Sequence, residues 1–254
     1  MLSIQPNQPN LSFKAGLNKG VVQLQHTFDC KNAEKFLSTQ GIVSNFQNNK
    51  AMALSANLAV NILNYLNSAF NMFKFRSPSI NVYSKDKLLL DSNLYHFCIP
   101  ENKKVLINEP EFKPAAIFYS NIPSIEELDF QAEQAKKQGF KNTNHFLSDI
   151  IHEMMHAIYL NKIYEKYGSK SLGILKDLEV KTLNARENEI VGNVLGKYAT
   201  KPLNQYHEVF ADTFTKSICD SLSKTDILPK ENPLDKFREY PKEFIEIIKK
   251  ILNV

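Results

Sequence analysis

The chain has 254 residues, 43% of them apolar, enough to bury one sizeable core and to exclude global disorder. Its formal charge of +4 is modest, and the only arginines are Arg76, Arg186 and Arg238, so the side chain best suited to phosphate and base contacts is nearly missing and no nucleic-acid partner is expected. Cys30, Cys98 and Cys219 are scattered and odd in number, which speaks against a disulfide framework and for a reducing compartment.

No stretch approaches the ~20 consecutive apolar residues of a membrane span, and the start lacks the basic-then-apolar layout of a secretory signal. A soluble chain without a membrane span is therefore expected. Neither a GxGxxG nor a GxxxxGK[ST] loop is present to cradle phosphates.

Residues 1–27, rich in Pro, Gln, Asn and Gly, read as an extended arm leading into one domain over 28–254. That domain opens with a helical part at about 28–75. Its main helix, from Asn48 to Phe75, carries Met52, Leu54, Leu58, Ile62, Leu63, Leu66, Phe70 and Phe73 at helical spacing, and Ser77-Pro78 ends it. Short β-rich segments follow at Ile80–Tyr83, Leu88–Leu90, Tyr95–Ile99, Val105–Ile107 and Ala116–Tyr119, predicting a small sheet. Beyond Pro123 helical spacing returns at about 124–138, 143–166, 171–198 with a possible break, 204–222 and a terminal helix near 234–252. The fold class is α+β, dominated by helices.

Inside the helix predicted to start at a Thr143 N-cap stands His152-Glu153-Met154-Met155-His156, an HExxH pattern. Four residues apart on a helix, the two histidines differ by about 40° around the axis and lie one turn apart, so both can reach one cation. Glu153, rotated slightly aside, is placed to act as a base beside the metal's open position. With six histidines, chance arrangement would give such a pattern in about one chain in a hundred, so a third ligand decides its meaning. Glu208, about fifty residues downstream, is the candidate. Asp212, four residues further on the same face, would hydrogen-bond the far nitrogen of a ligating imidazole and orient it. Tyr159 and Lys162 stand where an HExxHxxGxxH continuation needs glycine and histidine, which excludes that ligation.

The segment Lys197-Tyr198-Ala199-Thr200, followed by Glu208-Val209-Phe210-Ala211-Asp212-Thr213-Phe214, resembles the Tyr-Ala then Glu-x-Phe-Ala-Glu-x-Phe signature of anthrax lethal factor-like metallopeptidases, which are gluzincins. With the HExxH pattern the resemblance covers about residues 76–222. It implies a zincin-like fold in which the sheet packs on the HExxH helix, and one Zn²⁺ per chain held by His152, His156 and Glu208. It also implies that a tyrosine stabilises the oxyanion, with Tyr198 matching and Tyr206 as the alternative. Tyr198 precedes Glu208 by ten residues, longer than the family interval, and Asp212 stands in place of the usual glutamate.

The expected activity is zinc-dependent endopeptidase cleavage of a peptide or protein substrate, in the setting of a bacterial toxin or an effector exported to host cytosol. The alternative is a non-catalytic binding protein on a zincin scaffold. Lys103–Glu109 is the strand expected to pair with extended substrate. His145 and Asp149 share the histidine stripe and could reach the rim of the site, whereas His207 should point about 100° away from Glu208. Glu165, Glu179, Glu187 and Glu189 lack the pairing seen at Glu208 and Asp212, His26 and His96 read as structural, Gly192 and Gly196 as a close-packing pair, and Cys219 as a buried thiol.

Overall fold

The computed structural model describes residues 24–72, 79–83, 94–100, 114–120, 122, 124–179, 181–200, 206–222, 228–229 and 231–253, with the backbone alone for the three segments between 79 and 120. The expected strands at 88–90, 105–107 and Lys103–Glu109 lie outside the described residues, as do residues 1–23 of the arm. The arm's last residues, 24–27, are helical and not extended. Gln25 is buried and its Oε1 accepts from the Ile125 N–H at 2.7 Å, tying this turn to the start of a later helix.

Helix α1 spans Cys30–Thr39 and α2 spans Lys50–Phe70, each opened by a side-chain cap, Asp29 and Asn49, that accepts from a first-turn N–H. Helix α2 is buried on nearly every face; Ala51, Ala53, Ala56 and Ala59 leave room for neighbours to pack close. It stops at Phe70 and not at Phe75, because Asn71 adopts the left-handed conformation (φ 51°) and its N–H returns to the Asn67 carbonyl.

Strands β1 (Ser44–Asn45), β2 (Ser79–Tyr83), β3 (Leu94–Pro100) and β4 (Pro114–Ser120) form a sheet in the order β1-β2-β4-β3. The first two pairings are parallel and β3 runs antiparallel to β4, with Leu94 opposite Ser120 and Pro100 opposite Pro114. Helices dominate the remainder: α3 (Ile125–Lys137), α4 (Ser148–Tyr167), α5 (Ser171–Glu179), α6 (Ala185–Leu195), α7 (Tyr206–Ser221), α8 (Pro233–Arg238) and α9 (Lys242–Leu252). Strands β3 and β4 lie against α4, and α4 packs most extensively against α7.

Two further helix expectations need correction, the start of α4 and the terminal helix. Helix α4 begins at Ser148 after an uncapped Leu147, not at Thr143, which is buried in the preceding loop; there the His145 Nδ1 accepts from the Leu147 N–H at 3.2 Å. The possible break within 171–198 is present: Asn184 and Glu187 form a reciprocal capping box that starts a new helix. The terminal helix is also two, since Pro241 cannot donate to the ladder and instead stands as the cap before α9. No helix among the described residues is long and apolar enough to cross a membrane.

Candidate metal centre

Helix α4 carries His152, Glu153 and His156 at its buried middle, none more than 6% exposed, with Ile150, Ile151, Met154, Met155 and Ile158 packed around them. Helix α7 lies alongside and presents Glu208 and Asp212; the rings of Tyr159 of α4 and Phe210 of α7 meet at a tilt with centroids 5.0 Å apart and help to fix that pairing. Between these helices His152 Nε2 lies 3.0 Å from His156 Nε2. Glu208 Oε2 lies 3.2 Å from the first nitrogen and 3.5 Å from the second. His152, His156 and Glu208 are the group whose donor atoms converge as a possible metal site among the described residues.

The residues fit a zinc ion. Tetrahedral zinc with bonds of ~2.0–2.2 Å separates its ligand atoms by roughly 3.3–3.6 Å, within a few tenths of an ångström of all three distances. Glu208 Oε2 is buried without a hydrogen-bond partner, so its lone pairs are available to a cation. On the far side of the ring, His152 Nδ1 lies 2.8 Å from Asp212 Oδ1, which directs a proton to Nδ1 and leaves the Nε2 lone pair toward the cluster. Glu153 Oε1 stands 3.9 Å from His152 Nε2, adjacent to the converging atoms without being one of them.

Burial and neighbouring charge set the electrostatics. Burial works against a protonated His152, yet the Asp212 and Glu208 carboxylates together outweigh it and push the imidazole up to about 10, so a cation taking Nε2 must displace a proton there. Burial lowers His156 to about 4 and raises Glu153 to about 8, a range in which a carboxylate both accepts and returns a proton near neutrality. Glu208 is opposed by burial but held well below the usual carboxylate range by the imidazoles facing it. Burial first, and Glu208 second, raise the Tyr198 phenol, which keeps it a hydrogen-bond donor.

The two candidate tyrosines part company. Tyr198, in a short 3₁₀ turn after α6, places its ring centroid 6.1 Å from that of His152. Tyr206 is buried at the start of α7 with the Lys250 ammonium 5.9 Å over its ring, facing α9. Asp149 pairs with Lys141 at 2.7 Å, and His145 stacks on Phe146 beside the helix start. His207 departs from expectation: its ring centroid is 5.1 Å from that of His156, and its Nε2 is 3.5 Å from Glu208 Oε1.

Elsewhere the candidates have other work. Glu187 caps α6 and pairs with Lys250, the His26 carbonyl accepts from Lys50, and burial pushes the Cys219 thiol up to about 12. The side chains of Glu179 and His96 lie outside the described residues. Sequence reasoning missed both Lys141 and the contacts of His207. No protein-family model, curated protein or solved structure matches the chain.

Proposed function

We propose that the chain is a zinc metalloendopeptidase of the HExxH gluzincin type on a zincin-like fold. The convergence of His152, His156 and Glu208 beside Glu153 carries this reading. Those three residues would hold zinc, which when bound would supply a Lewis acid for a peptide carbonyl and acidify a water molecule.

Around that centre the chain's own groups divide the work. The Glu153 carboxylate takes a proton from the attacking water and returns it to the departing amine. The Tyr198 hydroxyl donates to the carbonyl oxygen as negative charge develops there. Asp212 holds the proton on His152 Nδ1 and with it the ring's orientation. Burial of Glu153 and both histidines excludes bulk water, which strengthens each of these interactions.

The substrate class is a peptide or protein, and the lethal factor-like resemblance supports a toxin or effector setting. Glu153→Gln tests the reading against a non-catalytic scaffold. The expected result is a variant that retains zinc and loses cleavage of a peptide library; unchanged biological function in that variant would support the scaffold instead.

A further inference from the structure

Lys141 sits in the loop between α3 and α4 and takes no part in the mechanism above. Its side chain is only 11% exposed, a costly placement for an ammonium unless something specific holds it. Asp149, in the first turn of α4, holds Nζ at 2.7 Å. The same Nζ stands 5.2 Å from the Tyr198 ring centroid, within the range of a cation–π contact.

The backbone around Lys141 closes on the same tyrosine. The Lys197 N–H donates to the Gly139 carbonyl and the Tyr198 N–H to the Phe140 carbonyl, each at 2.9 Å. The Phe140 ring meets the Tyr198 ring edge-on at 5.2 Å between centroids. One residue later, the Asn142 N–H donates to the Leu195 carbonyl and its carbonyl accepts from Lys216 of α7. Residues 139–142 thus tie together the HExxH helix, the Tyr198 turn and the helix carrying Glu208.

We propose that Lys141 is a positioning residue that fixes the Tyr198 ring against the metal-binding face of α4. Its effect on rate rests on the metallopeptidase reading, while the contact itself is open to a test that needs no activity. The ammonium is anchored on α4, so the ring it holds is referenced to the same helix that carries His152 and His156. Loss of that reference lets the phenol wander from the carbonyl oxygen, and a misplacement of about 1 Å costs up to ~10²-fold in rate.

The test uses the full chain with Lys141→Met, which keeps the stem and removes the charge, and Lys141→Arg, which keeps the charge. In the zinc-loaded protein Lys141→Met should leave zinc content unchanged and KM within about twofold while kcat falls ~10-fold. Lys141→Arg should recover most of that loss, and adding Lys141→Met to Tyr198→Phe should cost nothing more. In zinc-free protein labelled with ¹³C-tyrosine, the signal that disappears in Tyr198→Phe should shift in Lys141→Met. Asp149→Asn, which frees the ammonium without removing it, should shift the same signal if Lys141→Met does not fold. An unmoved Tyr198 signal, or an equal kcat loss with and without the tyrosine hydroxyl, would overturn the proposal. If no peptide is cleaved and no zinc is held, the metallopeptidase reading falls and the tyrosine signal alone decides the Lys141 contact.

Discussion

Four ionisable side chains, His152, Glu153, His156 and Asp212, are buried at the α4–α7 contact, where apolar residues would pack at far lower cost. A cation shared by two imidazoles and Glu208 would offset that cost and give each residue a separable role. Loss of a ligand in His156→Ala or Glu208→Gln should abolish zinc retention. Glu153→Gln should retain zinc and lower kcat by ~10²–10⁴-fold, the range for a positioned general base. Tyr198→Phe should cost ~10²-fold in kcat, about 2.7 kcal/mol of transition-state stabilisation, with zinc content intact and Tyr206→Phe nearly silent. Steady-state kinetics on one cleaved peptide decide between them; a crippled Tyr206→Phe beside a normal Tyr198→Phe would move the oxyanion role to α7.

At this scale the sequence was most informative where partners share a helix. The spacing of His152 and His156, and of Glu208 and Asp212, puts each pair on one face whatever the tertiary structure. His207 shows where that reasoning stops. Its angle from Glu208 around α7 says nothing of α4, whose His156 ring lies 5.1 Å away once the two helices pack. Lys141 was hidden for the same reason: Asp149 and Tyr198 reach it from separate segments, and no local pattern marks that meeting.

Among the elements, the turn after α6 places the tyrosine. Gly196 has φ +101°, and a Cβ there would stand 2.7 Å from the Phe140 carbonyl oxygen that accepts from Tyr198. Gly196→Ala must therefore adopt a conformation that L-residues avoid and push residues 139–142 away. It should destabilise by about 1–3 kcal/mol and lower kcat more than KM, measured by thermal melting beside kinetics. Gly192 packs instead against the end of the Tyr198 turn, where a Cβ would meet Thr200 Cγ2 at 3.0 Å. Close packing, read from the pair of glycines, has a named partner in each case.

A second link, Glu187 of α6 to Lys250 of α9 at 2.8 Å, gives a pH dependence. Burial opposes the Glu187 charge, but Lys250 and the Asn184 N–H together outweigh it and hold its carboxyl below the ordinary value. A carboxyl lowered by folding stabilises above its unfolded pKa of ~4.3 and loses that contribution as pH falls through the folded value. Lys250→Met should flatten the acid side of the stability curve by less than about 1 kcal/mol, because the lysine is half exposed. An unchanged acid limb in denaturant melts would show that this pair contributes nothing. Element boundaries were the least legible part of the sequence: Asn71 and Pro241 end or divide helices at positions where apolar periodicity runs straight through.

Across the molecule, the core joins α2, α4 and α7, so a ligand held between α4 and α7 stabilises the structure that buries both. Zinc at 100 times its dissociation constant would add about 2.7 kcal/mol. At ~2–4 °C per kcal/mol for a chain of this size, that is a rise in Tm on the order of 5–10 °C, reversed by chelator. Helix dominance was legible because long periodic segments carry their own signal. The order β1-β2-β4-β3 was not, since short strands carry no record of their neighbours, and two parallel pairings join segments well separated in the chain. The most direct measurement of the central claim is zinc per chain, by metal analysis after zinc reconstitution and removal of free ion. Wild type and Glu153→Gln should each hold one zinc and His156→Ala far less, whereas a wild-type value well below one, or full retention by His156→Ala, would contradict a catalytic centre built on His152, His156 and Glu208.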